Sequence, residues 1–191
     1  MNLLMFPRML TSHDQGWVWL MRVHPSVFTM YLFYAAPLSL LPPAMLLYAA
    51  RAGDTMLGNL SMNEAWRLAT LFYIAELIMV PLMAAIIQQI GNAVRKRPDF
   101  HDAFAFAAVA PTPLWLSALA LFVPSQAFNA LATLVALFAA GVLIYEGTRR
   151  VFALEDDTSA PLLTGSILAA GLVAWAALMG LALVGASWVP G

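Results

Sequence analysis

Hydropathy divides the chain into five long apolar stretches separated by short polar ones: Ser26 to Ala50, Leu68 to Val94, Phe104 to Val123, Phe128 to Gly147 and Thr164 to Val189. A helix needs about 20 mostly apolar residues to cross a hydrocarbon core of roughly 30 Å, and each stretch meets that length. None shows the strict alternation of a barrel strand, and hydrocarbon offers no partner for unpaired backbone, so each predicts a transmembrane helix. The expected fold is all-α, a polytopic membrane protein whose single domain over residues 1–191 is a bundle of five transmembrane helices. A short interfacial amphipathic segment, residues 1–25, precedes the first span. In it Thr11 to Asp14 read as the cap of a short helix on which Trp17, Leu20, Met21 and His24 share a face, and Pro25 ends it. With Trp17 and Trp19 beside the first span, this segment is expected to lie flat at the membrane surface, the alternative being a poorly ordered leader. The acidic run Glu155-Asp156-Asp157 reads as a solvated loop.

Composition sharpens the class. Of 191 residues, 62% are hydrophobic and 10% charged, against about 45–50% and 25% for a soluble domain. Nine Lys+Arg against ten Asp+Glu leave no basic excess for a run of phosphates, so nucleic acid is not an expected partner. The first apolar run is too long and too rich in proline for a signal-peptide core, and is read as a retained anchor. The few cations are sorted. Arg8, Arg22, Arg95, Lys96, Arg97, Arg149 and Arg150 fall on one side of the predicted topology, and only Arg51 and Arg67 on the other. Basic residues stay inside, so the N-terminus is expected in the cytoplasm and the C-terminus outside. The count of spans depends on Pro124 to Ala127 being a true turn; a re-entrant stretch there would move the tail inside.

Catalytic signatures are missing. There is no cysteine, hence no thiolate or Cys-based metal site, and no phosphate loop, His-Glu-x-x-His pair or nucleophile elbow. His13, His24 and His101 are scattered, and the pairs His13-Asp14 and His101-Asp102 lack helical ligand spacing, so no metal site and no cofactor are expected. Glu76 is the residue that a bilayer makes expensive. It lies eight residues into the second span, or about 12 Å deep, and requires a hydrogen-bonding partner inside the bundle. Matched by depth, the candidates are Ser39, Ser117 and Thr133, together with the carbonyls of Leu38 and Ser39 that Pro42 and Pro43 deprive of helical donors. Glu76 reads either as a proton or substrate relay or as a structural hydrogen bond between the first two spans. A relay usually needs a second titratable station in the membrane, which favours the structural reading.

The prolines form a second constellation. Pro37, Pro42 and Pro43 break the first span, Pro81 the second, and Pro111 with Pro113 the third. Broken helices at mid-membrane build sites in many transporters, so a small carrier or channel subunit is the competing function; however, no internal repeat accompanies them. Ala132/Ala136/Ala140 and Gly165/Ala169 are small-residue ridges that let helices approach closely, within the chain or in a homo-oligomer.

The stretch Arg95 to Leu119 resembles the centre of the Yip family of Ypt/Rab-interacting membrane proteins. In that family a short cytoplasmic loop leads into a span bearing a small-x-x-Pro motif followed by apolar residues, and Ala110, Pro113, Leu114 and Trp115 occupy that place, with Pro111 between them. Phe128 to Phe152, through Gly141, Tyr145 and Gly147, is similar to the family's fourth span and its exit. Length, five spans and a short leader are similar to the small bacterial branch. The resemblance implies a multi-pass protein of the bacterial inner membrane that assists membrane organisation or trafficking through protein contacts, without enzymatic chemistry. The small-GTPase-binding motif of longer eukaryotic members has only a faint echo in Gly16-Trp17, so a Rab partner is not implied. The expected partners are the lipid bilayer and a membrane protein or a second copy of this chain.

Overall fold

The computed structural model describes residues 17, 20, 24–52, 61–152 and 160–187. Five helices among them are long and apolar enough to cross a membrane: α1 (Val27–Arg51), α2 (Met62–Ala93), α3 (Phe100–Phe122), α4 (Gln126–Val151) and α5 (Ala160–Ser187). Local chemistry sets their starts. The Ser26 hydroxyl accepts from the Thr29 N–H at the head of α1, and Ser125 accepts from the Phe128 N–H at the head of α4. A reciprocal capping box opens α2, with the Ser61 N–H donating to Glu64 Oε2 at 2.6 Å and the Glu64 N–H donating to the Ser61 hydroxyl. That box starts α2 at Met62, upstream of the apolar run at Leu68, and carries the polar first turns Asn63, Glu64 and Arg67.

The prolines of α1 and α3 interrupt their helices as expected, whereas the break expected at Pro81 does not occur. In α1 a wide π turn, Tyr31–Ala35, immediately precedes Pro37, and a break at Leu40 precedes Pro42 and Pro43. In α3 the helix stops at Val109, turns through Ala110 and Pro111, restarts over Thr112–Ser117 and closes as a 3-10 turn, Ala118–Phe122. Only Pro81 sits inside a continuous helix, the 32-residue α2. At the other extreme, α4 runs past Gly147 to Val151. Gly147 is not a stop signal there but a point of close approach: a Cβ added to it would lie 2.7 Å from Phe106 Cε2 and 2.8 Å from Trp17 Cζ2.

Helix α2 packs against α1, α3 and α5, while α4 packs against α3 and α5. The first half of α3 is the most enclosed element, with every residue from Ala103 to Val109 buried. Of the described leader residues, Trp17 and Leu20 are buried in the same core while His24, expected on their face, is exposed, and the Trp17 ring meets Phe106 edge-on at 5.6 Å. The face shared by Trp17 and Leu20 is therefore held against the bundle. Thr11 to Asp14, Trp19, Met21, the cations Arg8 and Arg22, and the run Glu155 to Asp157 lie outside the described residues.

Candidate functional site

The site begins with Glu76 on α2. Fourteen residues separate it from the head of the helix and seventeen from its end, so at 1.5 Å per residue it sits about 21 Å from one end and about 26 Å from the other. The side chain is 4% exposed, and the polar group beside it is the indole N–H of Trp115, which can only donate. Glu76 Oε2 has no hydrogen-bond partner among the described residues. Trp115 comes from the restarted segment of α3. The break at Ala110 and Pro111 resets the direction of that segment, and the N–H groups of Leu114 and Trp115 both bond the Pro111 carbonyl.

Glu76 and Trp115 line a half-open cavity of about 470 Å³ to which all five helices contribute. It extends along α4 from Asn129 to Ile144, about 22 Å of helix. Its walls are overwhelmingly apolar, and Glu76 is the one ionisable side chain that lines it among the described residues.

Of the residues singled out from the sequence, Ser117, Thr133, Pro42, Ala110 and Pro111 line this cavity with Glu76, whereas Ser39, Pro43, Pro81 and Pro113 do not. The expected hydroxyl partners are engaged elsewhere. Ser117 donates to the Leu114 carbonyl at 2.7 Å, Thr133 to Asn129 at 2.9 Å, and the fully buried Ser39 to Ala36 at 3.2 Å. A hydroxyl that bonds back to its own helix satisfies itself at no cost in packing, and this leaves Glu76 to Trp115. Trp115 was legible only as a motif residue, since matching partners by depth considered hydroxyls and freed carbonyls but no indole.

One freed carbonyl finds its donor on a neighbouring helix. Pro81 removes the helical donor to the Leu77 carbonyl, and the Tyr31 hydroxyl of α1 donates to that oxygen at 3.1 Å. At the break in α1 the Ala36 carbonyl accepts from Ser39 and from the Tyr73 hydroxyl of α2, both at 3.2 Å. Tyr34 and Thr112 share a buried hydroxyl contact of 2.7 Å that joins the π turn of α1 to the break in α3. Three tyrosines thus tie α1 to α2 and to α3.

Five apolar helices around a half-open apolar cavity lined by one buried carboxyl define a multi-pass membrane protein. The Yip1 domain model matches residues 8–178, and the chain belongs to the Yip1 family. It is 36% identical over 95 residues to inner membrane protein YohC of Escherichia coli (strain K12) and, over the same length, to that of the E. coli strain CFT073. The aligned part is 50% of this chain and 49% of each relative, so the chain spans about half the length of the curated relatives it matches. No solved structure matches.

Proposed function

We propose that the chain is a non-enzymatic scaffold of the bacterial inner membrane, of the Yip type, that organises membranes or serves a trafficking-related process through contacts with other membrane proteins. Its N-terminus faces the cytoplasm and its C-terminus the exterior. The observation that carries this reading is the outer face of α5. Gly165, Ala169, Val173 and Ala177 recur every four residues, all exposed, and a Cβ placed on Gly165 would meet nothing within 4 Å. The matching ridge of α4 is used internally, with Ala136 and Ala140 buried. A small-residue ridge left open on a lipid-facing helix is suited to a second helix, from a partner or from another copy.

A photo-crosslinking residue at Val173, activated in native membranes and followed by mass spectrometry, tests it. A reproducible protein adduct is the expected outcome; adducts to lipid alone overturn the reading. The cavity favours a second reading, a small carrier that uses Glu76 and the proline-broken helices. Proton-dependent flux into reconstituted vesicles that disappears in Glu76→Gln would establish it.

A further inference from the structure

His24, in the link between the leader and α1, meets His101 and Asp102 in the first turn of α3. One ligand atom from each lies within 4.8 Å of the other two. His24 Nδ1 is 3.6 Å and His101 Nδ1 3.4 Å from the same oxygen, Asp102 Oδ1, and the two rings lie 5.2 Å apart. The separation in sequence that argued against a metal site is removed by folding, which brings residue 24 to residues 101 and 102.

The protons show what the cluster lacks. His101 Nε2 is 2.6 Å from the Pro25 carbonyl oxygen, which only accepts, so Nε2 carries the proton. Nδ1 of the same ring is then the atom that meets the carboxylate oxygen. His24 Nδ1 approaches that same oxygen. Two imidazole nitrogens and a carboxylate oxygen thus converge on one point, where a divalent cation would be ligated by all three. The two nitrogen-to-oxygen separations suit it: four ligands at about 2.0–2.1 Å in a tetrahedron stand about 3.3–3.4 Å apart. An imidazole whose far N–H is tied to a backbone carbonyl is also how ligating histidines are oriented. His24 adds a backbone observation, a φ of 42° that residues with a side chain rarely adopt and that gathers at functional sites.

We propose that His24, His101 and Asp102 form a binding site for one divalent transition-metal ion of the zinc class, with Nδ1 of each imidazole and Oδ1 of the carboxylate as ligands. Two imidazoles and one carboxylate select zinc, cobalt or nickel over magnesium or calcium. His24 is exposed and the other two are half-buried, so the ion enters from the aqueous side and leaves room for water as a further ligand. Bound there, it clips the leader to the head of α3.

The test uses the full chain in nanodiscs, stripped with chelator and titrated at neutral pH with Co²⁺, then with Zn²⁺ against a chromophoric chelator. One ion per chain, the visible absorption of low-coordinate cobalt, and a loss of affinity of tenfold or more in His24→Asn and in Asp102→Asn are expected. Asparagine tolerates the positive φ at residue 24 and Asp102→Asn preserves shape, so both variants keep the fold. Zn²⁺ raises the thermal midpoint of the parent protein and leaves that of each variant unchanged. Equal affinities in parent and variants, or no binding by the parent, overturn the proposal and assign the convergence to a proton on His101.

Discussion

Trp115 offers a buried donor and Glu76 a buried acceptor beside it. A hydrogen bond of this kind contributes about 1 kcal/mol net, but stranding one partner in an apolar cavity costs about 1–3 kcal/mol. Glu76→Gln keeps an acceptor for the indole and is expected to unfold within about 1 kcal/mol of the parent, whereas Glu76→Leu strands the Trp115 N–H and should lose about 1–3 kcal/mol. Thermal unfolding of both variants in one detergent reads the difference; equal losses would mean that the Trp115 bond contributes nothing. A Gln variant that folds normally but fails in a transport assay would shift the weight to the carrier reading. Glu76 was legible in the sequence because hydropathy makes a lone carboxyl in a long apolar run conspicuous. Its partner was not, because Ser39, Ser117 and Thr133 stand at suitable depths and only the folded chain reveals that each hydroxyl bonds its own helix.

Among the helices, each proline leaves one carbonyl without its helical donor, and for Pro81 a neighbouring span supplies the donor. The pairing of Pro81 with Tyr31 gives a coupling that is measurable by a double-mutant cycle. Tyr31→Phe removes the donor to the Leu77 carbonyl and should cost about 1 kcal/mol in the parent. In a Pro81→Ala background residue 81 regains its own N–H to Leu77, and the same Tyr31→Phe change should cost close to nothing. Additive effects in the cycle would show that the hydroxyl does not serve the carbonyl that Pro81 frees. The breaks themselves were readable from the positions of Pro37, Pro42, Pro43, Pro111 and Pro113, since a missing N–H and a ring clash act locally. That Tyr31 answers Pro81 is a matter of how α1 and α2 face each other, and no local rule contains it. The same holds for Gly147, which looks like a helix end in sequence and is a contact point in the bundle.

The whole molecule gathers at one end what the sequence scatters. Gly91 approaches Phe152 and Pro98, His101 bonds Pro25, and Trp17 packs on Gly147 and Phe106, so the loop with Arg95, Lys96 and Arg97 shares that end with Arg149 and Arg150. Arg51 and Arg67 lie at the opposite ends of α1 and α2. The proposed topology puts the richer end in the cytoplasm. The chain has no cysteine, so single cysteines at Lys96 and at Ser125 provide a clean test. An impermeant thiol reagent applied to intact cells should label the residue-125 variant and reach the residue-96 variant only after lysis; the reverse pattern would invert the topology. By itself the sequence determined the class, the five spans, the proline breaks, the sorting of cations and the family resemblance, because each follows from hydropathy, backbone covalency or charge counted along the chain. The tertiary structure alone decided which groups meet: Trp115 with Glu76 at an apolar cavity, Tyr31 with the carbonyl that Pro81 frees, and His24 with His101 and Asp102. Those contacts join residues tens of positions apart, and their partners are selected by how helix faces pack, which no spacing along one helix encodes.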